Sequence, residues 1–177
     1  MDDVQVTGAG IGEDSPVRQA ALEAEAHVDE GGWDQAPRLF ALVSTAALLA
    51  AQPELSDRLG DSGEYTPVEQ ELPPGQDVET LLLQIGWPDQ VDGCAVVMER
   101  VTLPAEVEAE LPEDPAEAAE FAAGHPRRQE MRIVAAALRD GSAHVAVRPR
   151  VPADAPLIEG PGILPDLVTM LLATLVD

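Results

Sequence analysis

Residues 129–150 have the sequence QEMRIVAAALRDGSAHVAVRPR, and this stretch decides the fold. Two arms rich in small and β-branched apolar residues flank Asp140-Gly141, a pair that favours a two-residue turn between antiparallel strands. We therefore predict a β-hairpin formed by residues 131–139 and 142–150, with Arg139 opposite Ser142. In that register Leu138 and Ala143 share the face toward the core. The opposite face carries Met131, Ile133, His144, Arg148 and Arg150.

Helix and strand signals alternate on both sides of this hairpin. Capping residues and apolar spacing predict helices that begin at Ser15-Pro16, at Asp114-Pro115 and at Leu164-Pro165, with weaker helical segments at 45–59 and 77–85. Apolar runs predict further strands at 39–43, 65–72 and 94–103. Because a tight hairpin joins antiparallel strands, the sequence predicts an α+β fold, with a mainly antiparallel sheet of about five strands flanked by helices in α-β-β-β-α-β-β-α order.

The length of 177 residues fits a single domain with one core. Residues 1–14 are rich in glycine and acids, so we expect a flexible N-terminal tail followed by one α+β domain over 15–177. Cys94 is the only cysteine and the N-terminus lacks a signal-peptide pattern, which favours a reducing, cytoplasmic location. The apolar stretches are too short to span a bilayer, so we expect no direct membrane insertion.

The charge is strongly asymmetric, with 33 acidic residues against 10 basic ones and a net charge of -23. A surface this negative repels phosphate backbones, so we expect no nucleic-acid binding. Within this acidic chain, residues 125–150 hold six arginines and two acids. This basic stretch either pairs with carboxylates of its own chain or meets the acidic surface of a second copy.

Several motifs are similar to a family of uncharacterised actinobacterial proteins. They are the run Gly32-Trp33-Asp34-Gln35-Ala36-Pro37-Arg38, the run Trp87-Pro88-Asp89-Gln90, His125-Pro126-Arg127-Arg128 and Leu138-Arg139-Asp140-Gly141. The likeness covers nearly the whole chain after residue 15, and the family implies no catalytic residues. Separately, the order of elements resembles the type III secretion chaperone fold, whose members are small, often acidic, commonly dimeric and bind polypeptide segments.

Motifs for catalysis, metal binding or cofactor binding are missing from the sequence. There is no nucleophile elbow, P-loop or paired His/Cys metal motif, so we expect no catalytic residue, no metal and no cofactor. The glycines at 8, 10 and 12 lack the spacing of a dinucleotide loop. Cys94 and His125 form a conceivable nucleophile pair, but an apolar strand surrounds Cys94 and favours a buried, inert thiol.

Two turns stand out as candidate sites because they hold the only tryptophans. Each turn lies between a helix and an apolar strand, and we treat as partner-binding candidates Trp33, Asp34, Gln35, Trp87, Asp89 and Gln90, together with the outer hairpin residues Met131, Ile133, His144, Arg148 and Arg150. The alternative is structural, with both rings fixing helix ends to the core and the Asp and Gln side chains bonding local backbone.

We expect a non-enzymatic, acidic, chaperone-like protein that presents a sheet surface to a polypeptide partner, and we expect a homodimer. In the C-terminal helix the leucines at 164, 167, 171, 172 and 175 should face the sheet. The outer side would hold Met170, Ala173 and Thr174, where a second copy could pack. Two alternatives stay open: an enzyme of unrecognised type that uses carboxylates near the Trp-Asp-Gln turns, and a structural subunit of a larger assembly.

Overall fold

One antiparallel sheet organises the computed structural model, which describes residues 15–59, 63–73, 75, 77–152, 155–160 and 162–176. Within these residues the strands are β1 (Arg38–Ser44), β2 (Tyr65–Gln70), β3 (Gly93–Thr102), β4 (Gln129–Leu138), β5 (Ala143–Pro149) and β6 (Ile158–Gly160). Their order across the sheet is β2-β1-β3-β4-β5-β6, and every neighbouring pair is antiparallel. The predicted α+β class is confirmed, with one strand more than expected. The predicted N-terminal tail lies outside the described residues.

Helices cover both faces of the sheet. The helices are α1 (Pro16–Asp29), α2 (Thr45–Ala51), α3 (Ser56–Leu59), α4 (Val78–Leu82), α5 (Ala105–Glu108), α6 (Pro115–Gly124) and α7 (Pro165–Thr174), and a short 3₁₀ turn (Pro53–Leu55) joins α2 to α3. Two of the predicted caps are present: the Ser15 hydroxyl accepts a hydrogen bond from Arg18 N over 3.3 Å, and the Asp114 carboxylate accepts one from Glu117 N over 3.1 Å. These bonds satisfy backbone donors that the first turn of a helix leaves free. Asp77, also predicted as a cap, precedes α4 without a side-chain cap hydrogen bond.

Alternating side chains divide the core into two layers. Ala95 and Val97 of β3 pack with α1 on one face, whereas Cys94, Val96 and Met98 pack with α4 and α7 on the other. This is the period of two that a strand imposes. We call the two sides of the sheet the α1 face and the α7 face.

The predicted β4–β5 hairpin is confirmed, but its predicted register is wrong by one residue. Ala143 pairs with Ala137 instead of Leu138. The loop holds three residues, because Leu138 N donates to Ser142 O over 2.9 Å and Gly141 N donates to Leu138 O over 2.9 Å. Gly141 has a φ of +94°, the left-handed conformation that closes a three-residue hairpin loop with a bulge.

This shift redistributes the candidate residues between the two faces. Met131 and Ile133 lie on the α7 face, together with Ala143 and Val147. The predicted grouping of Met131 and Ile133 with His144, Arg148 and Arg150 on one face is therefore wrong. A slip of one residue turns each side chain to the opposite side of a sheet.

Proline protects the outer edge of β2. Thr45 N donates to Glu64 O and Asp92 N donates to Leu42 O, so the odd-numbered residues of β1 turn their backbone groups toward β2. The residues opposite them are Thr66 and Val68. Pro67, between these two, therefore points outward and presents no N–H to an added strand. Proline at such a position blocks edge-to-edge pairing.

Candidate binding surface

Five of the predicted candidates lie near the end of α1, around a buried arginine that the sequence analysis missed. Arg132 is 0% exposed, and its Nη1 lies 3.3 Å from Glu25 Oε2 and 2.6 Å from Asp29 Oδ1. Its Nη2 donates to the carbonyl oxygen of Gly32, and its guanidinium carbon lies 4.4 Å from the centroid of the Trp33 ring. One residue of α1 points to such an arginine. Glu25 is among the buried residues of this helix, and a buried carboxylate needs a cation on the sheet as its partner.

Two further arginines complete what we call the arginine cluster (Arg132, Arg148 and Arg150 with their carboxylates). Arg148 donates two hydrogen bonds of 2.8 Å to the carboxylate of Glu25. Arg150 donates to Asp34 over 3.0 and 3.2 Å and to Glu130 over 2.9 Å. Bidentate pairs of this kind fix geometry as well as neutralise charge.

The Trp33-Asp34-Gln35 turn is held by backbone hydrogen bonds. Asp34 N and Gln35 N donate to the carboxylate of Glu99 over 2.9 and 3.1 Å. Gln35 Nε2 donates to the carbonyl oxygens of Val28 and Gly32, both over 2.7 Å. Asp34 has a φ of +68°, a conformation that Asp tolerates better than most residues. For Gln35 the structural alternative therefore holds, because its side chain bonds local backbone.

The basic stretch pairs within its own chain. Arg127 Nη2 donates to Glu106 over 2.7 Å, and Arg128 Nη1 donates to His125 O over 3.1 Å. Arg139 donates to the carbonyl oxygens of Val91, Trp87, Pro88 and Leu175. Together with the arginine cluster, all six arginines of this stretch have intrachain partners.

The second tryptophan turn lies on the α7 face, away from the first. Trp87 Nε1 donates to Thr174 Oγ1 over 3.0 Å, and Asp89 and Gln90 are exposed. Thr174 is buried, so its predicted place on the outer side of the C-terminal helix is wrong. The hydrogen bond to Trp87 explains why a polar side chain is tolerated there. The structure therefore does not bring the two tryptophan turns together.

His144 lies on the α1 face and joins β5 to β6. It is almost completely buried, and its Nε2 lies 2.9 Å from Glu159 Oε1. The same oxygen of Glu159 accepts a hydrogen bond of 2.8 Å from Arg18 Nε of α1. These contacts hold the short strand β6 against α1, so His144 has a structural role.

An apolar groove that the sequence analysis did not predict lies where α7 begins. It has a volume of about 450 Å³. Its apolar lining includes Met98, Ile133, Leu164, Leu167 and Met170, and its rim includes Glu79, Arg100 and Asp166. We call this the methionine groove. Leu164, which was predicted to face the sheet, is 40% exposed here.

A second groove lies at the start of β4 and the end of β5. It has a volume of about 590 Å³ and is lined by Met131, Pro149, Val151 and Ile158 among others. Met131 and Ile133 belong to the same face of β4, and Ile133 pairs with Met98 on one side and with Val147 on the other. Three of the four methionines of the chain thus lie on one apolar band across β3, β4 and α7.

A family model described as PPA1309-like protein matches residues 17–176. The chain belongs to the PPA1309-like protein family. This finding confirms the family resemblance predicted from the sequence, and the matched range of this PPA1309-like chain runs from α1 through α7. No curated protein and no solved structure matches the chain.

Leu164 of this PPA1309-like chain is in an unfavourable conformation for a leucine. It has φ +50° and ψ +58° and stands at the N-cap of α7 without a side-chain cap hydrogen bond. The left-handed conformation costs a residue other than glycine about 1–2 kcal/mol, and leucine is a poor N-cap residue. An exposed apolar side chain held in this way points to a function for its surface.

The chemistry of Cys94 fits a structural thiol. Its side chain is buried, as predicted, and burial raises its pKa to about 11. Cys94 lies opposite Ala137 near the end of β4, whereas His125 precedes the start of that strand. The Cys94 thiol bonds instead with Leu171 O and Thr174 Oγ1, and His125 Nδ1 accepts a hydrogen bond from Arg127 N, so the two residues are not paired with each other.

Among the described residues, four carboxyl groups have a displaced pKa, and in each case the pKa is lowered. Hydrogen bonds from Arg38 and Arg18 lower the pKa of Glu69 and Glu159, respectively. The Ser142 hydroxyl does the same for Asp140, and a backbone hydrogen bond, assisted by Arg127, lowers the pKa of Glu106. A lowered pKa favours the ionised carboxylate, whereas a general acid at neutral pH needs a raised one.

The described residues hold neither a metal-binding group nor a membrane-spanning helix. No group of three or more His, Cys, Asp or Glu side chains is placed to hold a metal ion in that part of the chain. Within the same ranges, no helix has the length and apolar character needed to cross a membrane.

Proposed function

We propose that this protein is a non-enzymatic, chaperone-like binding protein that takes a segment of a polypeptide partner into the methionine groove. The observation that carries the proposal is Leu164, an exposed leucine in the left-handed conformation at the mouth of the groove. A residue that costs stability and contributes little to the core is best explained by what binds to it. We also propose that the protein acts in the cytoplasm, where its single thiol stays reduced.

The side chains of the groove suit a polypeptide ligand. Methionine is flexible and polarisable, so Met98 and Met170 can adapt to different apolar anchors. The groove volume of about 450 Å³ is enough for a few side chains. Helices cover the central strands of the sheet on both faces. A partner can therefore contact the sheet at the end of the α7 face.

The edges of the sheet favour groove binding over strand addition. Pro67 removes a donor from the outer edge of β2. On the other side, Arg150 N donates to Glu130 O, so Pro149 points away from β4 and offers no N–H beyond the end of β6. A partner that added a strand would meet Pro67 at the β2 edge and a strand of only three residues at the β6 edge, whereas a partner that inserts side chains would depend on neither edge.

A second copy of the chain is the alternative occupant. Leu83 and Val176, near α4 and α7, are 77% and 72% exposed and would suit a self-contact. The arginines expected to offset repulsion between two chains of net charge -23 are, however, paired within their own chain. Light scattering separates the cases: we expect a mass near 18.7 kDa at low and moderate salt, and twice that mass would favour the homodimer.

Selection from a library of random displayed peptides tests the proposal without assuming a partner. The native protein is the bait, and the selected peptides are then measured against Leu164→Asp and against Leu83→Asp, an exposed leucine outside the groove. We expect peptides that bind the wild type and Leu83→Asp equally and bind Leu164→Asp at least about tenfold more weakly. Peptides that bind all three proteins equally, or a selection that yields none, would contradict the proposal.

A further inference from the structure

We infer that the segment taken into the methionine groove is a basic amphipathic α-helix. This inference rests on the proposed function and adds the chemistry of the partner. It is carried by three features: the acidic connection at the same end of the sheet as the groove, the closed backbone of the sheet under the groove and the net charge of the chain.

An acidic connection lies at the same end of the sheet as the methionine groove. β3 ends at Thr102, which pairs with Gln129 at the start of β4, and α5 and α6 form the connection between them. Arg100 and Met131 pair with each other two residues from this end. Arg100 lines the methionine groove, and Met131 lines the second groove. The connection carries seven exposed acids, namely Glu106, Glu108, Glu110, Glu113, Asp114, Glu117 and Glu120.

Within the described residues, most of these acids have no cation as a partner. Among the ion pairs of the described residues, Glu106 pairs with Arg127 and the other six form none. Asp114 serves as the cap of α6. Asp166 adds an exposed carboxylate at the rim of the groove itself. Uncompensated carboxylates at the same end of the sheet as an apolar groove, with Asp166 at its rim, attract a ligand that combines basic and apolar side chains.

The helical form of the ligand follows from the hydrogen bonding of the sheet. The strands under the groove bond to each other, so they offer a partner no free backbone groups on this face. A segment that buries itself there must satisfy its own N–H and C=O groups, and an α-helix does so internally. Apolar residues at i, i+3, i+4 and i+7 would then enter the groove while basic residues face the acidic connection.

The net charge of the protein limits which classes of macromolecule can bind to it. At -23 the protein repels nucleic acids and anionic membranes but attracts basic segments over about one Debye length, roughly 10 Å at 0.1 M salt. The rim of the methionine groove also holds the ion pair between Arg100 and Glu79. This pair does not change the negative charge of the surface as a whole.

Three designed peptides of about 18 residues test the inference by fluorescence anisotropy. The first has a leucine stripe at helical spacing and lysines elsewhere, the second is a scrambled version of the same composition, and the third replaces each lysine by glutamate. We expect only the first to bind well, with the scrambled peptide at least about tenfold weaker and the acidic one undetectable. Circular dichroism should show that the first peptide becomes helical when bound.

Two variants locate the contributions of the groove and of the charge. Leu164→Asp should weaken the basic peptide about tenfold, with Leu83→Asp as the control. A triple variant, Glu108→Gln, Glu110→Gln and Glu113→Gln, should weaken the peptide severalfold and reduce its salt dependence, while leaving the unfolding midpoint unchanged because these side chains are exposed.

The outcomes separate this inference from the proposed function. If the acidic peptide binds as tightly as the basic one and Leu164→Asp abolishes both, the groove binds polypeptide but the inference is wrong. A bound basic peptide that stays extended, or equal binding of the scrambled peptide, would also overturn the inference. If no peptide responds to Leu164→Asp here or in the display selection, the proposed function fails as well.

Discussion

The guanidinium carbon of Arg132 lies 4.4 Å from the ring centroid of Trp33, a contact that fastens the end of α1 to β4. Arg132 is also bound by Glu25, which is itself buried and held by Arg148. An arginine that stacks on tryptophan and pairs with a buried acid has a structural role in the fold. The candidates Trp33, Arg148 and Arg150 are therefore best explained as parts of the scaffold that positions the sheet.

Arg132→Met should cost about 3 kcal/mol of unfolding free energy, because it leaves buried acceptors without their donor. The matched control is Arg127→Met, which breaks the exposed pair with Glu106 and should cost less than about 1 kcal/mol. Urea unfolding of both variants measures the difference. Equal losses in the two variants would contradict the structural role of the arginine cluster.

Native Cys94 should resist thiol reagents. With its pKa raised to about 11 by burial, only about one thiol in a thousand is ionised near pH 8. We expect labelling by a chromogenic disulfide reagent to follow unfolding, and to become rapid only in denaturant. An added exposed thiol, Leu83→Cys, is the positive control. Stoichiometric labelling of native Cys94 within seconds would restore a role for it as a nucleophile.

Glu159 should make stability depend on pH. Hydrogen bonds from Arg18 and then His144 lower its folded pKa, so its contribution is present above the unfolded pKa and is lost as pH falls through the folded pKa. We expect Glu159→Gln to cost about 1 kcal/mol near pH 7 and progressively less as pH falls through the folded pKa. Urea unfolding across this range is the measurement, with the exposed Glu113→Gln as control. A cost that does not change with pH would argue against the ion pair.

The sequence predicts the two strands of the hairpin but not the register in which they pair. Apolar residues on both sides of Asp140-Gly141 correctly predicted β4 and β5. The number of loop residues depends on whether Asp140 adopts a positive φ together with Gly141, as a two-residue turn requires; only Gly141 does so here, and composition does not specify this. The single-residue difference placed Met131 and Ile133 on the wrong side in the prediction, and the methionine groove was missed for that reason.

Two other features depend on tertiary contacts that local patterns do not encode. β6 has only three residues between Pro156 and Pro161, too few for a periodic signal, and its hydrogen bonds come from β5. Leu164 fits the helical spacing of α7, so periodicity placed it against the sheet. The structure instead places it at the N-cap with a left-handed backbone, which turns its side chain to the groove.

Leu164→Asn should stabilise the protein by about 0.5–1 kcal/mol, because asparagine adopts the left-handed conformation more readily than leucine. The same change should weaken binding of any ligand in the methionine groove. Leu164→Ala, which removes the apolar side chain without relieving the backbone, should be less stable than Leu164→Asn. Thermal unfolding compares the two, and a large loss of stability in Leu164→Asn would identify Leu164 as a core residue instead.

Methyl NMR of protein labelled at its methionines tests the central claim most directly. Met98, Met131 and Met170 all lie on the apolar band, so a polypeptide segment in the methionine groove should shift their methyl resonances. With a peptide from the display selection, we expect the Met98 and Met170 signals to move most, the Met131 signal to move less, and Leu164→Asp to abolish these shifts. A peptide that binds while these three resonances stay unchanged would contradict the account.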